Sequence, residues 1–271
     1  MNFPVIEMFA SIQGEGEYTG YPSFFVRVSG CNLRCCFKGS ICDTPYSSYE
    51  PEKTKYKSIK DVVNDFRNME AKYPKINHLV ITGGEPLLYK EGLCEFLKEV
   101  YRDDMFITIE TNGTLEPIPA NNPDFMIDMY SISPKLSTSV GNGNGKLSDI
   151  QMNLHNKTRI NIPNLYKYVL DSIDYQFKFV YSGEECINEI EDLYKQLEKY
   201  GEENFNNQES DYKHDWFLSY HPNHHTKLMP EGVTNEQLQK SRNECVEKCM
   251  EKGWEYTDRM HIVIWGDKRG V

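Results

Sequence analysis

Two hydrophobic patterns alternate along the chain. Short runs of aromatic and β-branched residues, such as FFVRVSG at 24–30, are typical of buried strands. Segments such as SIKDVVNDFRNMEAKY at 58–73 instead carry apolar residues three and four positions apart, the spacing of an amphipathic helix. The patterns predict strands at 24–30, 77–84, 105–113, 124–134, 175–181, 215–222 and 259–266, and helices at 58–73, 92–102, 184–200 and 234–252.

The repeated strand-then-helix order predicts an α/β fold, with a sheet of parallel strands covered by helices. About seven successive strands suit a barrel or partial barrel better than a small open sheet. We expect a single domain over residues 1–271. Two segments are expected to be peripheral: 137–153, which is rich in Gly, Asn and Ser, and 201–215, which is polar and acidic.

Four unusual segments follow four of the predicted strands. SGCNLRC, TGGEP, ETNG and SISPK each begin where a strand ends. In barrel folds of parallel strands, the chemistry lies in the loops after the carboxyl ends of the strands. The sequence therefore predicts one site built from these four loops.

Charge and composition disfavour a nucleic-acid-binding, a membrane-spanning and a secreted protein. Of the 271 residues 41 are acidic and 30 are basic, so the net charge of −11 disfavours binding to nucleic acid phosphates. No apolar run approaches the ~18 residues of a membrane span. The first twenty residues lack the basic start and apolar core of a signal peptide, so we expect a cytoplasmic protein. Thiols stay reduced there, which favours a metal or cluster site over disulfides.

Four of the eight cysteines lie within twelve residues, at positions 31, 35, 36 and 42. Thiolates bind iron–sulfur clusters and zinc, but this spacing differs from the paired knuckles of structural zinc sites. Three thiolates on a four-iron cluster would leave one iron open for another ligand. The alternative from a different class is a zinc-binding structural protein with Cys31, Cys35, Cys36 and Cys42 as ligands.

GCNLRC, TGGEP, ETNG and SPK in this order resemble the radical S-adenosylmethionine (SAM) superfamily, whose pattern is Cys-x3-Cys-x2-Cys. Lys38 stands where that pattern has its third cysteine. The triplet CDT at 42–44 resembles the one that begins on the third cysteine in the 7-carboxy-7-deazaguanine synthase family. Cys42 is therefore our third ligand, after four extra residues, and Cys36 is its competitor.

The same family is resembled at both ends of the chain. IQGEGEYTGYPSFFVRVSGCNLRC is similar to its start, and MPEG (229–232) and RMHIVIWGDKRGV (259–271) are similar to its end. The matches run from about residue 5 to residue 271 and are thin between 137 and 228. They imply a fold of the radical SAM type, a partial (β/α)6 barrel.

The resemblance implies a [4Fe–4S] cluster on Cys31, Cys35 and Cys42, with SAM bound at the open iron. Paired glycines let the backbone approach SAM, and a carboxylate such as Glu85 can accept from its ammonium. The hydroxyl of Thr44 is the expected protein ligand of a Mg²⁺ ion beside the substrate. The residues expected to contact SAM are Gly83, Gly84, Glu85, Glu110, Asn112, Ser131, Ser133 and Lys135.

The implied reaction converts 6-carboxy-5,6,7,8-tetrahydropterin to 7-carboxy-7-deazaguanine and releases ammonia, while SAM is regenerated. Glu15 is expected to accept from the N–H edge of the pterin, and Arg27 to bind its carboxylate through two hydrogen bonds. No protein acid or base is assigned. The expected substrate residues are Gln13, Gly14, Glu15, Gly16, Arg27, His261 and the carboxylate of Val271.

The family resemblance also implies a homodimer and an electron-donor protein such as a flavodoxin. The nearest alternative enzyme is an activase that makes a glycyl radical on a partner protein. Cysteines 94, 186, 245 and 249 are interpreted as structural. For His221, His224 and His225, a second metal site and a group of surface histidines both remain open.

Overall fold

The computed structural model describes residues 3–37, 40–119, 121–143, 145–205 and 225–271. Its centre is one sheet of eight strands in the order β1-β2-β5-β6-β9-β10-β11-β12, and two small hairpins, β3-β4 and β7-β8, lie outside it. The strands are β1 Val5–Ile12, β2 Pro22–Val28, β3 Cys36–Phe37, β4 Ser40–Ile41, β5 His78–Gly83, β6 Phe106–Thr111, β7 Asn121–Asn122, β8 Phe125–Met126, β9 Met129–Ile132, β10 Asp174–Tyr181, β11 Thr226–Pro230 and β12 Glu255–Tyr256.

All strand pairs from β2 to β12 in this sheet are parallel, and β1 adds to β2 in antiparallel orientation. The predicted α/β fold with parallel strands is therefore confirmed, and the arrangement fits a partial barrel. The helices are α1 Pro45–Ser48, α2 Ile59–Lys72, α3 Lys90–Val100, α4 Asp149–Thr158, α5 Ile162–Asp171, α6 Glu185–Phe205, α7 Asn235–Lys252 and α8 Met260–Trp265.

The core lies between the sheet and its helices. Phe24 of β2 meets Phe66 of α2 edge to face at 5.5 Å, and Phe66 meets Phe96 of α3 in the same way at 5.6 Å. Such pairs bury large apolar surfaces and fix the helices against the strands. The central strands consequently have few exposed residues, as expected of a parallel sheet with covered faces.

The four predicted helices are present with small shifts at their ends, but the predicted strand at 124–134 is divided into β8 and β9. β1, α4 and α5 were not predicted. The predicted strand at 215–222 lies outside the described residues, and β11 follows it at 226–230. No helix in the described ranges has the length and apolar character needed to cross a membrane.

The strand predicted at 259–266 is wrong, because residues 260–265 form the short helix α8. The run HIVIW has a strand-like composition, but the parallel sheet already ends at β12, two residues before Asp258. The backbone N–H of Met260 instead donates to the carbonyl of Gly14 at 2.8 Å. This hydrogen bond starts a turn against residues 13–16, the QGEG segment. Strand preference depends on an available partner strand, and here that partner is missing among the described residues.

Candidate active site

A cavity of about 330 Å³ opens at the carboxyl edge of the parallel strands. The loops after β2, β5, β6 and β9 all contribute to its wall, so the four unusual segments do meet at one place. Every predicted site residue lines the cavity except two, Gly16 and Glu85. Those that line it are Gln13, Gly14, Glu15, Arg27, Cys31, Cys35, Cys42, Thr44, Gly83, Gly84, Glu110, Asn112, Ser131, Ser133, Lys135, His261 and Val271.

Glu85 lies beneath the cavity wall and not on it. Its side chain is fully buried and accepts from the backbone N–H of Leu87 at 3.1 Å, the hydroxyl of Thr111 at 2.9 Å and the backbone N–H of Asn112 at 2.8 Å. Burial raises the pKa of this carboxyl group. Glu85 thus joins the TGGEP loop to the ETNG loop, and its contact with the SAM ammonium stays a prediction.

Gly16, the second predicted residue that does not line the cavity, allows a turn of the backbone. Its backbone N–H donates to the hydroxyl of Thr257 at 2.7 Å, and its φ of +76° lies in the left-handed region. A Cβ atom here would stand 2.3 Å from the side-chain nitrogen of Gln176. Gly16 thus turns the QGEG segment and does not contact the cavity.

Just before Cys42, β3 and β4 pair as a short antiparallel hairpin, in which Cys36 lies opposite Ile41. The hairpin returns the chain to its starting point, so the backbone N–H of Cys42 donates to the carbonyl of Cys35 at 3.0 Å. Cys36 is buried on the other side of the loop, where a Cβ atom on Gly141 would stand 3.1 Å from its Sγ. Cys31, Cys35 and Cys42 therefore line the cavity, whereas Cys36 does not.

The chemistry of these three thiols fits a cluster. Burial raises the pKa of Cys31 to about 12 and also raises the pKa of Cys35 and Cys42, so a bound cluster has to displace their protons. Leu33 N–H donates to the Cys31 sulfur at 3.4 Å, as it would to a cluster-bound thiolate. No three His, Cys, Asp or Glu side chains of the described ranges converge on a single-ion position. A four-iron cluster takes each thiolate on a separate iron, so its ligands stand further apart.

Hydrogen bonds from several elements fix residues 31–35, here called the cysteine loop. The side chain of Asn32 accepts from Asn112 Nδ2 at 3.0 Å and donates to the hydroxyl of Thr114 at 2.8 Å. The hydroxyl of Tyr49 donates to the carbonyl of Cys35 at 2.8 Å. A Cβ atom on Gly84 would stand 2.0 Å from the carbonyl oxygen of Gly30, so only glycine allows the TGGEP loop to approach this closely.

Four of the predicted SAM residues are held by hydrogen bonds to polar side chains. Glu110 accepts from Gln13 Nε2 at 3.1 Å and from the hydroxyl of Thr82 at 2.7 Å. The hydroxyl of Ser131 accepts from Gln176 Nε2 at 2.7 Å, and Lys135 donates to the hydroxyl of Ser133, also at 2.7 Å. These bonds fix a row of oxygen and nitrogen atoms along one side of the cavity.

A chain of ion pairs crosses the cavity wall, in which the side chains of Glu15, Lys178 and Arg259 are at most 14% exposed and that of Asp43 is 41% exposed. Arg259 pairs with Asp43 through Nη2 and with Glu15 through Nε at 2.9 Å, and Lys178 pairs with Glu15 at 2.6 Å. Burial alone would raise the pKa of Glu15, but the Lys178 and Arg259 cations hold it well below its usual range. Glu15 therefore stays ionised and already engaged with both cations, so it is not the free acceptor that we expected for the pterin.

Sequence reasoning missed three members of this network: Asp43, Lys178 and Arg259. A signal was available for Lys178, because a single charge within the apolar strand YQFKFVY is costly to bury without a partner. Asp43 and Arg259 stand 216 positions apart, and no local pattern joins them.

Arg27 presents an open guanidinium to the cavity. Its Nε donates to Glu7 at 2.6 Å, and neither Nη atom has a hydrogen-bond partner among the described residues. The rings of Phe9 and Tyr46 lie 6.0 Å from its Cζ atom. Two parallel N–H donors in an aromatic setting suit a carboxylate.

The C-terminal segment is fixed over the same cavity. Arg269 donates to both oxygens of Glu52 at 2.8 Å and to Glu7 at 2.7 Å, and its Cζ lies 3.7 Å above the ring of Tyr46. These contacts hold residues 266–271 in the cavity wall.

Thr44 also lies on the wall, with its Oγ1 3.5 Å from Cys42 Sγ and 3.3 Å from Asp43 Oδ1. The hairpin insertion thus leaves this hydroxyl beside the third cysteine. A role in binding Mg²⁺ stays a prediction.

The remaining cysteines and histidines lie elsewhere. Cys186, Cys245 and Cys249 are buried in the core, as expected of structural cysteines. His225 stacks on Tyr175 with ring centroids 4.8 Å apart, and its Nδ1 lies 2.6 Å from the carbonyl oxygen of Tyr175. His221 and His224 lie outside the described residues.

Comparisons with known proteins agree on one relationship. The profile of the Radical SAM superfamily matches residues 25–169. The 7-carboxy-7-deazaguanine synthase of Halobacterium salinarum is 34% identical over 270 residues, covering 97% of this chain and 91% of that protein. That of Rhodopirellula baltica is 33% identical, covering 98% and 88%. The crystal structure of QueE from Escherichia coli superposes with a TM-score of 0.55 at 20% identity, over 96% of this chain and 94% of that one.

Proposed function

The chain belongs to the radical SAM superfamily and, within it, to the 7-carboxy-7-deazaguanine synthase family, and from this membership we propose that it converts 6-carboxy-5,6,7,8-tetrahydropterin to 7-carboxy-7-deazaguanine with release of ammonia. It is a lyase of deazapurine biosynthesis that uses a [4Fe–4S] cluster and SAM. The activase and zinc-protein alternatives are not favoured by any of the relatives.

The bound cluster and SAM supply the radical that abstracts a hydrogen atom from the pterin, and the protein supplies position and dryness. Cys31, Cys35 and Cys42 would hold the cluster, because their three sulfurs share the cavity wall. The backbone of Gly83 and Gly84, with Glu110, Asn112, Ser131, Ser133 and Lys135, would hold SAM beside it.

On the substrate side, Arg27 would take the pterin carboxylate through its two open Nη donors. Gln13, Gly14, His261 and Val271 would contact the ring, and Glu15 would act through Lys178 and Arg259, with which it is paired. Thr44 would contribute its hydroxyl to a Mg²⁺ ion that otherwise keeps water ligands.

One observation carries this proposal. The same cavity joins three cysteine thiols with an arginine whose two Nη atoms have no hydrogen-bond partner among the described residues, so a cluster and a carboxylate-bearing substrate can share it. A homodimer and a flavodoxin-like electron donor are further proposals that come from the resemblance alone. A single domain over 1–271 and a cytoplasmic location are proposals that come from the patterns of the sequence.

The proposed function is tested with protein reconstituted with iron and sulfide under anaerobic conditions. Reduced protein, SAM, Mg²⁺ and the carboxypterin should yield 7-carboxy-7-deazaguanine, measured by mass spectrometry, with ammonia in equal amount. SAM should not be consumed in proportion to product. An iron-loaded protein that cleaves SAM but yields no deazaguanine would refute the substrate, and a preparation that cannot bind iron would refute the reaction class.

Arg27→Lys should lower kcat/KM for the carboxypterin about 100-fold, because lysine keeps the charge but loses the two-point contact with the carboxylate. The loss should appear mainly in KM, because Arg27 is expected to bind the substrate carboxylate and not a group that reacts. Steady-state kinetics on the reconstituted enzyme measure it. The matched control is Arg67→Lys, on the exposed side of α2, where kinetics should not change. Equal kinetics in Arg27→Lys and wild type would remove Arg27 from the substrate site.

A further inference from the structure

His155 of α4 is a buried histidine that the reaction does not use. Its side chain is 2% exposed, and it lies at the edge of the segment that the sequence predicted to be peripheral. Burial lowers its pKa to about 4, so the ring is neutral at physiological pH. A neutral, buried imidazole needs a partner for each nitrogen, and those partners show what it does.

The first partner belongs to the cysteine loop. The backbone N–H of Arg34, between Cys31 and Cys35, donates to His155 Nδ1 at 3.2 Å. This nitrogen must therefore carry a lone pair. Arg34 reinforces the same loop with its own side chain, which donates to the carbonyls of Cys31 at 2.7 Å and Leu33 at 2.8 Å.

The second partner fixes the tautomer. The hydroxyl of Ser139 donates to the carbonyl of Leu136 at 2.6 Å, so its oxygen is left to accept from His155 Nε2 at 3.0 Å. The proton is thus on Nε2, and the lone pair on Nδ1 faces Arg34. A continuous chain of hydrogen bonds runs from the 136–139 segment through the ring to the cysteine loop.

The same region backs the hairpin that follows the loop. A Cβ atom on Gly141 would stand 3.1 Å from the sulfur of Cys36, and one on Gly143 would stand 3.2 Å from Ile41. Gly141 and Gly143 therefore pack against β3 and β4, and His155 contacts the backbone between Cys31 and Cys35.

From these contacts we propose that His155 is a positioning residue, which holds the backbone between Cys31 and Cys35 in the conformation that receives the iron–sulfur cluster. The consequence for the cluster rests on the proposed function, and the effect on the loop does not.

The first test uses protein without iron. In His155→Ala the amide of Arg34 should exchange with deuterium about three to ten times faster than in wild type, which corresponds to the loss of one hydrogen bond. His155→Asn should restore protection, because the Oδ1 of asparagine takes the place of Nδ1. Ser139→Ala removes the hydrogen-bond partner of His155 Nε2 and should give a smaller increase in the exchange rate of the Arg34 amide. It provides a second variant if His155→Ala does not fold.

His78 provides a matched control. It is also a neutral histidine, 1% exposed with a pKa lowered to about 4 by burial, but its partners are Ser23 and Thr108 in the sheet. His78→Asn should leave the exchange of Arg34 unchanged. Unchanged exchange in both His155→Ala and Ser139→Ala, or an equal increase in His78→Asn, would overturn the proposal.

The second test uses reconstituted protein. His155→Ala should lose iron to a chelator several times faster than wild type and show an altered EPR spectrum of the reduced cluster, while His155→Asn should resemble wild type. If wild type itself binds no iron, the proposed function fails but the exchange result still stands. If exchange changes in His155→Ala while iron loss and the EPR spectrum do not, the role in receiving the cluster is refuted.

Discussion

Cys42→Ala is expected to abolish the cluster signal and to lower product formation at least about 1,000-fold, because two remaining thiolates cannot hold a four-iron cluster that needs three or four cysteine ligands. The sulfur of Cys42 lies on the cavity wall with those of Cys31 and Cys35, and its backbone is bonded to Cys35. Iron content after anaerobic reconstitution and the EPR spectrum of the reduced protein measure the loss.

Cys36→Ala is the matched control, because it removes the neighbouring thiol in the same loop. Its sulfur packs against Gly141 away from the cavity, so the variant should keep about four irons per chain and most of its activity. The opposite pattern, with iron retained in Cys42→Ala and lost in Cys36→Ala, would show that the hairpin rearranges when the cluster binds and would reassign the third ligand.

Arg259→Met is expected to lower the free energy of unfolding at pH 7 by about 1–3 kcal/mol, because Glu15 and Asp43 each lose a cation, while Glu15 keeps Lys178 and Asp43 is 41% exposed. Methionine keeps much of the apolar stem, so the change mainly removes the charge and the bonds to Asp43, Glu15 and the carbonyl of Gly232. Chemical denaturation of the iron-free protein measures the loss.

This loss should depend on pH. In wild type the cations hold the pKa of Glu15 and Asp43 below their usual values, so their contribution is fully present above about pH 4 and is lost as the pH falls through the folded-state values. In Arg259→Met each of these carboxyl groups loses one stabilising cation, so their pKa values should rise and acidification should cost the variant less stability than wild type. The difference in stability between wild type and variant should therefore shrink as the pH is lowered.

Lys195→Met is the control for Arg259→Met. Lys195 pairs with Asp192 at 3.0 Å on the surface of α6, where both side chains are more than 60% exposed. Such a pair contributes at most about 1 kcal/mol. A loss in Arg259→Met no larger than in this control, or one that does not change with pH, would contradict a stabilising role for the buried network.

The amino-acid sequence determined the alternation of strands and helices, and it placed the four unusual loops at strand ends. Both depend on local patterns, because hydrophobic spacing determines which element forms and a glycine or cysteine marks the position where it ends. The parallel order then follows from the helices between strands. Cys31, Cys35, Gly83, Gly84 and Asn112 could therefore be assigned to one cavity wall before any coordinates were known.

At two places the structure differs from what the sequence predicted. Residues 259–266 have strand composition, but 260–265 form α8, which pairs with no strand in the part of the chain that the structure describes. Glu85 is in the right motif, but its carboxylate turns inward to satisfy buried backbone N–H groups. In both cases the deciding contacts come from elements distant along the chain.

Only the tertiary structure decided which charges and thiols meet. Glu15 and Arg259 are 244 positions apart, and Arg34 and His155 are 121 apart, yet each pair is in direct contact. Local patterns depend on neighbours three or four residues away, whereas burying a charge or a backbone N–H requires a partner from wherever the fold supplies one. The chain alone therefore fixed which loops form the cavity, and the packing of distant elements fixed the direction and ionisation of the side chains within it.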